Sequence, residues 1–357
     1  MTKIRMLWAT NMPAPYRITL WDEICTEFEL QVLFGLPINN WRGWYVPEKR
    51  KWKYSFFSKK SFKIGEYELP LKIFGIKKYI KSQDVVIVGG WENPFYLTII
   101  ALCKYYKIPF FIFYGDVRRK INFFNPKILS KWILFKLATG IVSLSRQTTR
   151  NLISMGLKET KIVTLYNPHD QIEAIKSRRS WNNHRNHKFI FIGQLIERKS
   201  PIELFEAFIR IDNKKDTLTY LGSGKLQKKL LKKIQLSNFE NRIVVQNPID
   251  PKDVLMYLKN FDTLVLPSKV EIWGQVVNEA FALGLNIVVS ENCGITDYIR
   301  DSEGVFVCNT DITNLSDCLE MAREFKLDPW AKNRTIDFTT AKFASLMSDF
   351  IREKIRI

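Results

Sequence analysis

The sequence has no long apolar run and no secretory leader pattern, and each absence argues against a class of protein. No stretch of the chain approaches the roughly 20 apolar residues that a transmembrane helix needs. Residues 94–103 come closest, but Lys104 follows them, and we expect a buried helix there. Residues 1–8 lack the apolar region and cleavage site of a signal peptide, so they predict a first β-strand.

Cysteine is scarce and scattered. The five cysteines include no C-x-x-C pair, so their spacing supports neither a zinc site nor a disulfide framework. We expect buried thiols in a protein of the reducing cytosol.

The excess positive charge is almost confined to the first half of the chain. Residues 1–180 hold 30 Lys and Arg against 13 Asp and Glu, whereas residues 181–357 hold 25 against 23. This asymmetry indicates a polyanionic partner for the first half, either nucleic acid or an anionic membrane surface.

Short apolar segments alternate with helix-length segments along the chain. Continuous apolar runs are typical of parallel strands that are buried on both faces. Predicted strands are residues 4–9, 30–34, 84–88, 109–114, 140–143 and 162–165 in the first half, and 189–193, 218–221, 242–246, 263–267, 286–290 and 304–307 in the second. Helices between many of them make repeated β-α-β units, which predict an α/β protein with doubly wound parallel sheets.

This pattern occurs twice and predicts two domains. Residues 171–187 are polar, basic and aperiodic, and are interpreted as a linker between residues 1–170 and residues 188–338. Apolar residues at helical spacing predict a last helix over about 339–357 that packs back on the first domain. Two such domains that face each other form a cleft at the carboxyl ends of their strands.

Residues 267–284 combine a strand end, a loop and a helix start. Gly274, Gln275 and Val276 lie where the first N–H groups of a helix lack intrahelical acceptors, which suits a phosphate or a sugar hydroxyl. Glu279, one turn into the helix, can accept hydrogen bonds from both hydroxyls of a ribose, and Glu271 from hydroxyls of a donor sugar. If the two glutamates are considered alone, a helix cap and a solvent-exposed helix face also explain them.

The whole stretch resembles the E-x7-E signature of family 4 retaining glycosyltransferases, which have the GT-B fold of two Rossmann-like domains facing a central cleft. The matching residues are Pro267, Ser268, Glu271, Trp273, Gly274, Asn278, Glu279, Ala280, Phe281, Ala282 and Gly284. Most family members have proline after the first glutamate, where this chain has Ile272. That position shapes the loop without bringing a functional group.

A second segment ends a strand at Gly193 and brings the adjacent cations Arg198 and Lys199 to a helix start. Positive charge at such a place can neutralise a departing diphosphate, although surface solvation is the alternative. The resemblance implies that Lys199 binds the diphosphate with Arg198 beside it. This chain has Gln194 where many members have arginine, and Ser200 where many have glycine.

Three further residues complete the predicted site. Gly222 and Gly224 resemble the G-x-G loop of the family near the nucleotide, although a tight turn alone also explains them.

In the first half, residues 11–17 and 89–94 follow strands and are expected to line the cleft. Asp116 follows the strand at 109–114, where family members often have a histidine or another polar residue. We take it as the candidate that contacts the acceptor hydroxyl, with a loop or N-cap aspartate as the alternative.

The chain contains no D-x-D motif. Glycosyltransferases of the single-sheet fold commonly use that motif to hold a divalent metal on the diphosphate. We therefore expect no metal and no other cofactor, with Arg198 and Lys199 neutralising the leaving group.

Basic residues mix with aromatic residues at 50–60 and 118–124. Such mixtures suit an anionic membrane interface, and they also suit single-stranded nucleic acid. No nucleic-acid-binding motif accompanies them, so the donor motif favours lipid, with a merely solvated surface as the alternative.

The resemblance implies a metal-independent retaining hexosyltransferase with a UDP- or GDP-sugar donor. Its acceptor is expected to be a glycan or glycolipid of lipopolysaccharide, O-antigen or capsule synthesis. The enzyme is expected to be located at the cytoplasmic face of the inner membrane. Two alternatives stay open: an epimerase on the same fold, and a basic nucleic-acid-binding protein.

Overall fold

The structure is a computed structural model that describes residues 3–14, 17–36, 46, 50–58, 60–64, 67–70, 75–116, 126–168, 186–211, 215–309, 311–328 and 338–355. The chain divides into two compact units. The N-terminal unit comprises Met1–Gly115, Arg119–Pro168 and Phe338–Ile357, and the C-terminal unit comprises Asp116–Arg118 and His169–Asp337. Of the predicted linker, residues 171–187, only the last two are described.

Parallel strands form the sheet of the N-terminal unit. The strands of this unit are β1 (Ile4–Thr10), β2 (Phe28–Phe34), β3 (Lys53–Phe56), β4 (Ser61–Ile64), β5 (Tyr67–Pro70), β6 (Val85–Val88), β7 (Phe110–Tyr114), β8 (Gly140–Ser143) and β9 (Ile162–Thr164). Seven of the described strands pair in the order β3-β2-β1-β6-β7-β8-β9, whereas β4 and β5 form a separate antiparallel pair. The helices are α1 (Ile18–Glu27), α2 (Lys77–Ile80), α3 (Pro94–Tyr105), α4 (Pro126–Leu137) and α5 (Arg146–Ser154).

The C-terminal unit has a second parallel sheet. Its strands are β10 (Lys188–Ile192), β11 (Thr217–Leu221), β12 (Ile243–Gln246), β13 (Thr263–Leu266), β14 (Asn286–Ser290) and β15 (Val305–Cys308), and its helices are α6 (Pro201–Phe208), α7 (Gln227–Gln235), α8 (Val254–Leu258), α9 (Gln275–Leu283), α10 (Thr296–Ile299) and α11 (Ile312–Glu324). The described strands pair in the order β12-β11-β10-β13-β14-β15, so the direction of winding reverses between β10 and β13. Crevices beyond the carboxyl ends of strands at such a reversal are where doubly wound folds bind ligands.

The last helix, α12 (Thr340–Ile355), packs against α1 within the N-terminal unit. Its apolar side is buried because the rings of Phe343 and Phe350 lie beside those of Phe113 and Phe111, with centroids 6.1 Å and 5.8 Å apart. Such aromatic pairs contribute to core packing beyond their buried area.

The structure confirms the predicted α/β fold of two doubly wound parallel sheets. Every predicted strand is present, with ends that shift by two residues at most. The sequence pattern did not predict β3, the edge strand beside β2, because its residues belong to the basic and aromatic cluster at 50–60. Trp52 and Phe57 of that cluster are only 3% and 5% exposed, and Trp52 packs on Trp21, so these two aromatic rings are not available to a membrane. The second predicted cluster, 118–124, lies outside the described residues.

None of the helices in the described part of the chain combines the length and the apolar character that crossing a bilayer requires. All five cysteines are free thiols, and four of them are buried, as the sequence predicts.

Candidate functional site

The candidate site lies at the carboxyl edge of the second sheet, at the winding reversal between β10 and β13. The loop after β10 turns through a 3₁₀ turn, Glu197–Lys199, and the loop after β13 leads to α9. Because the two strands are neighbours, their loops meet: the N–H of Lys269 donates to the carbonyl of Arg198 at 2.9 Å. Residues that are far apart in sequence are thereby brought to one place.

Three charged side chains converge there. One carboxylate oxygen of Glu271, Oε2, accepts from Arg198 Nη1 at 3.0 Å and also forms an ion pair with the ammonium of Lys199. Lys199 and Glu271 are 12% and 15% exposed, whereas Arg198 is 42% exposed and also donates to the carbonyl of Val270 at 2.8 Å. Two cations against one carboxylate leave a positive site, which suits an anion such as a diphosphate.

The backbone around Glu271 is fixed by the segment that follows β14. The N–H of Glu271 donates to the carbonyl of Asn292 at 3.1 Å, and its own carbonyl accepts from Gly294 at 3.0 Å. The buried thiol of Cys293 donates to the carbonyl of Trp273 at 2.8 Å. Burial, and to a smaller degree the charge of Glu271, raises the pKa of Cys293 far above its usual range, so this cysteine acts as a neutral packing and donor group.

Gly274 sets the start of α9. Its φ of +95° lies in the left-handed region, and a Cβ would lie 2.8 Å from Cys293 Sγ and 3.0 Å from Leu266 Cδ2. Both conditions require glycine. The helix therefore begins at Gln275, as predicted, and the N–H groups of Gln275 and Val276 lie in its first turn, where helices leave donors for an anion.

Glu279 has a different environment from Glu271. Among the described residues it has neither an ion-pair partner nor a hydrogen-bond partner, and burial raises its pKa to about 7. A half-buried carboxylate without donors can take hydroxyl groups of a ligand.

Gly222 and Gly224 have a packing role that the structure shows directly. A Cβ at Gly222 would lie 1.9 Å from the carbonyl oxygen of Gly193, and one at Gly224 would lie 2.5 Å from that of Leu195. The loops after β10 and β11 are held together by hydrogen bonds, for example from Leu195 N–H to the carbonyl of Ser223 at 2.9 Å. Close approach of two backbones accounts for both glycines, and contact with a nucleotide stays a prediction.

Three buried polar atoms near these loops were not predicted as site groups from the sequence. Ser200 Oγ, Ser268 Oγ and Asn278 Oδ1 have no hydrogen-bond partner within the described chain. Buried polar groups ordinarily have partners, so unsatisfied ones at a ligand-binding edge are candidates for ligand contacts. Ser268 and Asn278 are among the residues that match the E-x7-E signature, and that match could have indicated them as site residues.

The N-terminal unit contributes a polar edge of its own. The predicted segments after β1 and β6 are joined by a hydrogen bond from Asn93 Nδ2 to Asn11 Oδ1 at 3.0 Å. Arg17 donates to Thr10 Oγ1 at 3.2 Å. Asp116, which groups with the C-terminal unit, is half-buried and lies two residues beyond the end of β7.

Metal ligands are not clustered in the part of the chain that the structure describes: it contains no group of three or more His, Cys, Asp or Glu that could hold an ion.

Comparison with known proteins identifies the fold and the domain. Residues 161–325 match the family described as Glycosyl transferases group 1. The capsular polysaccharide biosynthesis glycosyltransferase CapH of Staphylococcus aureus is 26% identical over 201 residues, which cover 53% of this chain and 52% of that protein. The match therefore spans about half the length of that relative.

Two solved structures resemble the chain over nearly its whole length. The apo form of the lipopolysaccharide outer core galactosyltransferase WaaB has a TM-score of 0.74 at 17% identity, covering 99% of this chain and 100% of that one. Anabaena Alr3699/HepE in complex with UDP has a TM-score of 0.71 at 14% identity, covering 99% and 98%. The chain thus has the GT-B fold and contains a group 1 glycosyltransferase domain.

Proposed function

We propose that the chain is a metal-independent retaining glycosyltransferase that moves a sugar from a UDP- or GDP-sugar to a glycan or glycolipid. The observation that carries the proposal is the cluster of Lys199, Arg198 and Glu271 at the winding reversal of the second sheet. It combines cations for a diphosphate with a carboxylate for sugar hydroxyls. Anabaena HepE, which shares the fold, has been solved with UDP-glucose and with UDP, which supports a nucleotide-sugar donor.

Each part of the donor has a chemical counterpart in the site. Lys199, Arg198 and the first-turn N–H groups of α9 bind the diphosphate, and the carboxyl group of Glu279 accepts from the ribose hydroxyls. Glu271 accepts from hydroxyls of the donor sugar. Gly193 lies next to Lys199: a Cβ there would be 3.9 Å from Nζ, so its lack of a side chain leaves room beside the ammonium.

Transfer then proceeds with retention at the anomeric carbon. The bond from the anomeric carbon to the diphosphate oxygen breaks, and its electron pair stays on the diphosphate, whose charge Lys199 and Arg198 stabilise. The acceptor oxygen bonds to the same face of the sugar, and its proton passes to the departing diphosphate. Asp116 is the proposed contact to the acceptor hydroxyl.

The distribution of charge and the similar proteins support the proposed acceptor and cellular location. The basic first half favours an anionic membrane surface at the cytoplasmic face of the inner membrane, and hence a lipid-linked acceptor. CapH and WaaB, by their names, act in capsular polysaccharide and lipopolysaccharide synthesis, which supports a cell-surface glycan as product.

The test is donor hydrolysis and transfer across a panel of UDP- and GDP-sugars. We expect Lys199→Ala and Glu279→Ala to lose turnover by about 100-fold or more, since each removes a contact to the donor. Lys229→Ala and Glu240→Ala, at exposed positions of the same unit, are the matched controls and keep turnover. Unchanged turnover in the first pair would refute the site, an inverted product anomer would refute retention, and release of an epimerised sugar would favour the epimerase.

A further inference from the structure

Helix α4 of the N-terminal unit presents a row of large aliphatic side chains to solvent. Leu129, Ile133 and Leu137 are 44%, 46% and 43% exposed. Their spacing of four residues places them along one side of the helix. No other helix in the described residues carries three large apolar side chains with comparable exposure.

The core fixes the rotation of α4, so this row cannot turn inward. On the opposite side, Phe135 is fully buried, and its ring packs on Tyr114 and Trp91 with centroids 4.9 Å and 6.5 Å apart. Lys131 donates to the hydroxyl of Tyr114 from the same side. An exposed apolar row on a helix that is rigidly seated indicates a surface that is covered by a partner.

Lysine and tryptophan border the row. Lys136 Nζ lies 3.9 Å from the ring centroid of the half-buried Trp132, and α4 contains no acidic residue. At the end of the helix, Lys161 Nζ donates to the carbonyls of Lys136 and Ala138 at 2.9 Å and 3.0 Å.

Further positive charge lies near that helix end. Partial burial, and then the nearby ammonium groups of Lys104 and Lys158, lower the pKa of Lys161. Both neighbours are exposed. Lys161 contacts the end of α4, and the charges of Lys104 and Lys158 act on Lys161, so positive charge accumulates there and attracts an anionic surface.

We propose that the outward face of α4, formed by Leu129, Ile133 and Leu137, is the surface that docks on an anionic phospholipid bilayer. The aliphatic row enters the boundary of the acyl chains while Lys136 and Trp132 stay at the level of the headgroups. The lysines around Lys161 contact the headgroup charge. This inference refines the membrane association in the proposed function and places it on α4 and not on the strand-forming cluster at 50–60.

The test is co-sedimentation of the full chain with vesicles of phosphatidylcholine, alone or with about 30% phosphatidylglycerol. We expect the wild type to partition onto the anionic vesicles at least about tenfold more strongly. Ile133→Ser with Leu137→Ser, and separately Lys104→Glu with Lys158→Glu, should each lower that partitioning about tenfold or more. The matched controls Leu231→Ser with Met321→Ser, and Lys228→Glu with Lys229→Glu, alter exposed residues of the C-terminal unit and should leave it within about twofold.

Nucleotide binding in vesicle-free solution separates this proposal from the proposed function. The Ile133 and Leu137 variant keeps wild-type affinity for UDP or GDP, because both positions lie outside the donor site. Equal vesicle binding by this variant and the wild type would overturn the docking surface, as would absence of binding by the wild type. Light scattering that shows a dimer of the wild type, broken in the variant, would assign the face to a second copy instead.

Discussion

Glu271 and Glu279 belong to one short segment, yet their environments are opposite. Glu271 shares one oxygen between two cations, whereas Glu279 is half-buried with no partner among the described residues. The first arrangement holds a charged carboxylate in place, and the second leaves one that ligand hydroxyls can satisfy. The two roles predicted from the motif therefore have distinct physical bases.

The environment of Glu279 should make the free energy of unfolding depend on pH. Burial raises the pKa of Glu279 from 4.5 to about 7, so the folded state binds its proton more tightly than the unfolded state does. Its contribution to the free energy of unfolding is then greatest below pH 4.5 and is lost as the pH rises through about 7. Relative to Glu279→Gln, the wild type should lose roughly 1–3 kcal/mol over this range. Urea unfolding at several pH values measures the difference, and parallel curves for the two proteins would contradict it.

Glu271 predicts competition between a carboxylate and the donor diphosphate. Lys199 and Arg198 are both paired with Glu271. Glu271→Gln removes that counter-charge, so UDP or GDP should bind about threefold to tenfold more tightly while sugar transfer falls about 100-fold. Calorimetry measures the nucleotide affinity, and a transfer assay measures the rate of sugar transfer. Glu203→Gln, which removes the partner of nearby Lys269, is the control, and weaker nucleotide binding by Glu271→Gln would argue against competition.

The sequence alone predicts the residues of this site but not their contacts. The motifs single out Arg198 and Lys199 just before a helix, Glu271 in a loop between a strand and a helix, and Glu279 one turn into that helix. The ion pairs join residues 72 and 73 positions apart, and only the adjacency of β10 and β13 brings these together. Local patterns cannot show that adjacency.

At the scale of elements, strands buried on both faces were easiest to predict. The run Val85–Val88 is apolar at every position because helices cover both sides of the sheet. The edge strand β3 was missed because half-burial lets Lys53 and Tyr54 remain at the surface, so its pattern is typical of a basic surface segment. Its neighbour Trp52 nevertheless packs into the core.

Asn286 predicts a stability effect that is separate from the site. Its buried side chain donates to the carbonyls of Ala322 and Phe325 at 2.8 Å and 3.0 Å, and so ties the end of α11 to the start of β14. Asn286→Ala leaves both carbonyls without this donor and should cost about 2–4 kcal/mol. Urea unfolding tests this, with the exposed Asn260→Ala as the control expected to stay within about 0.5 kcal/mol. Equal stability of the two variants would refute the role, and nucleotide affinity should be unchanged in both.

At the scale of the whole molecule, charge and chemistry are divided between the halves of the chain. The excess of Lys and Arg lies in residues 1–180, which include the lysines around α4, whereas the donor cluster lies in the more nearly neutral half. A long-range field suits an extended anionic partner, whereas a few precisely placed cations suit a small anion. The uneven distribution of charge is visible in the sequence, but the proposed docking surface on α4 could be identified only from the structure.

The proposed function depends on Lys199 and its neighbours binding the diphosphate of a nucleotide sugar without a metal. Isothermal titration with UDP and with GDP, in the presence of a metal chelator, tests it most directly. We predict that at least one nucleotide binds the wild type and Lys229→Ala equally, and that Lys199→Ala weakens it about 100-fold. Binding that survives Lys199→Ala, that needs a divalent cation, or that is absent for both nucleotides would refute this role of Lys199.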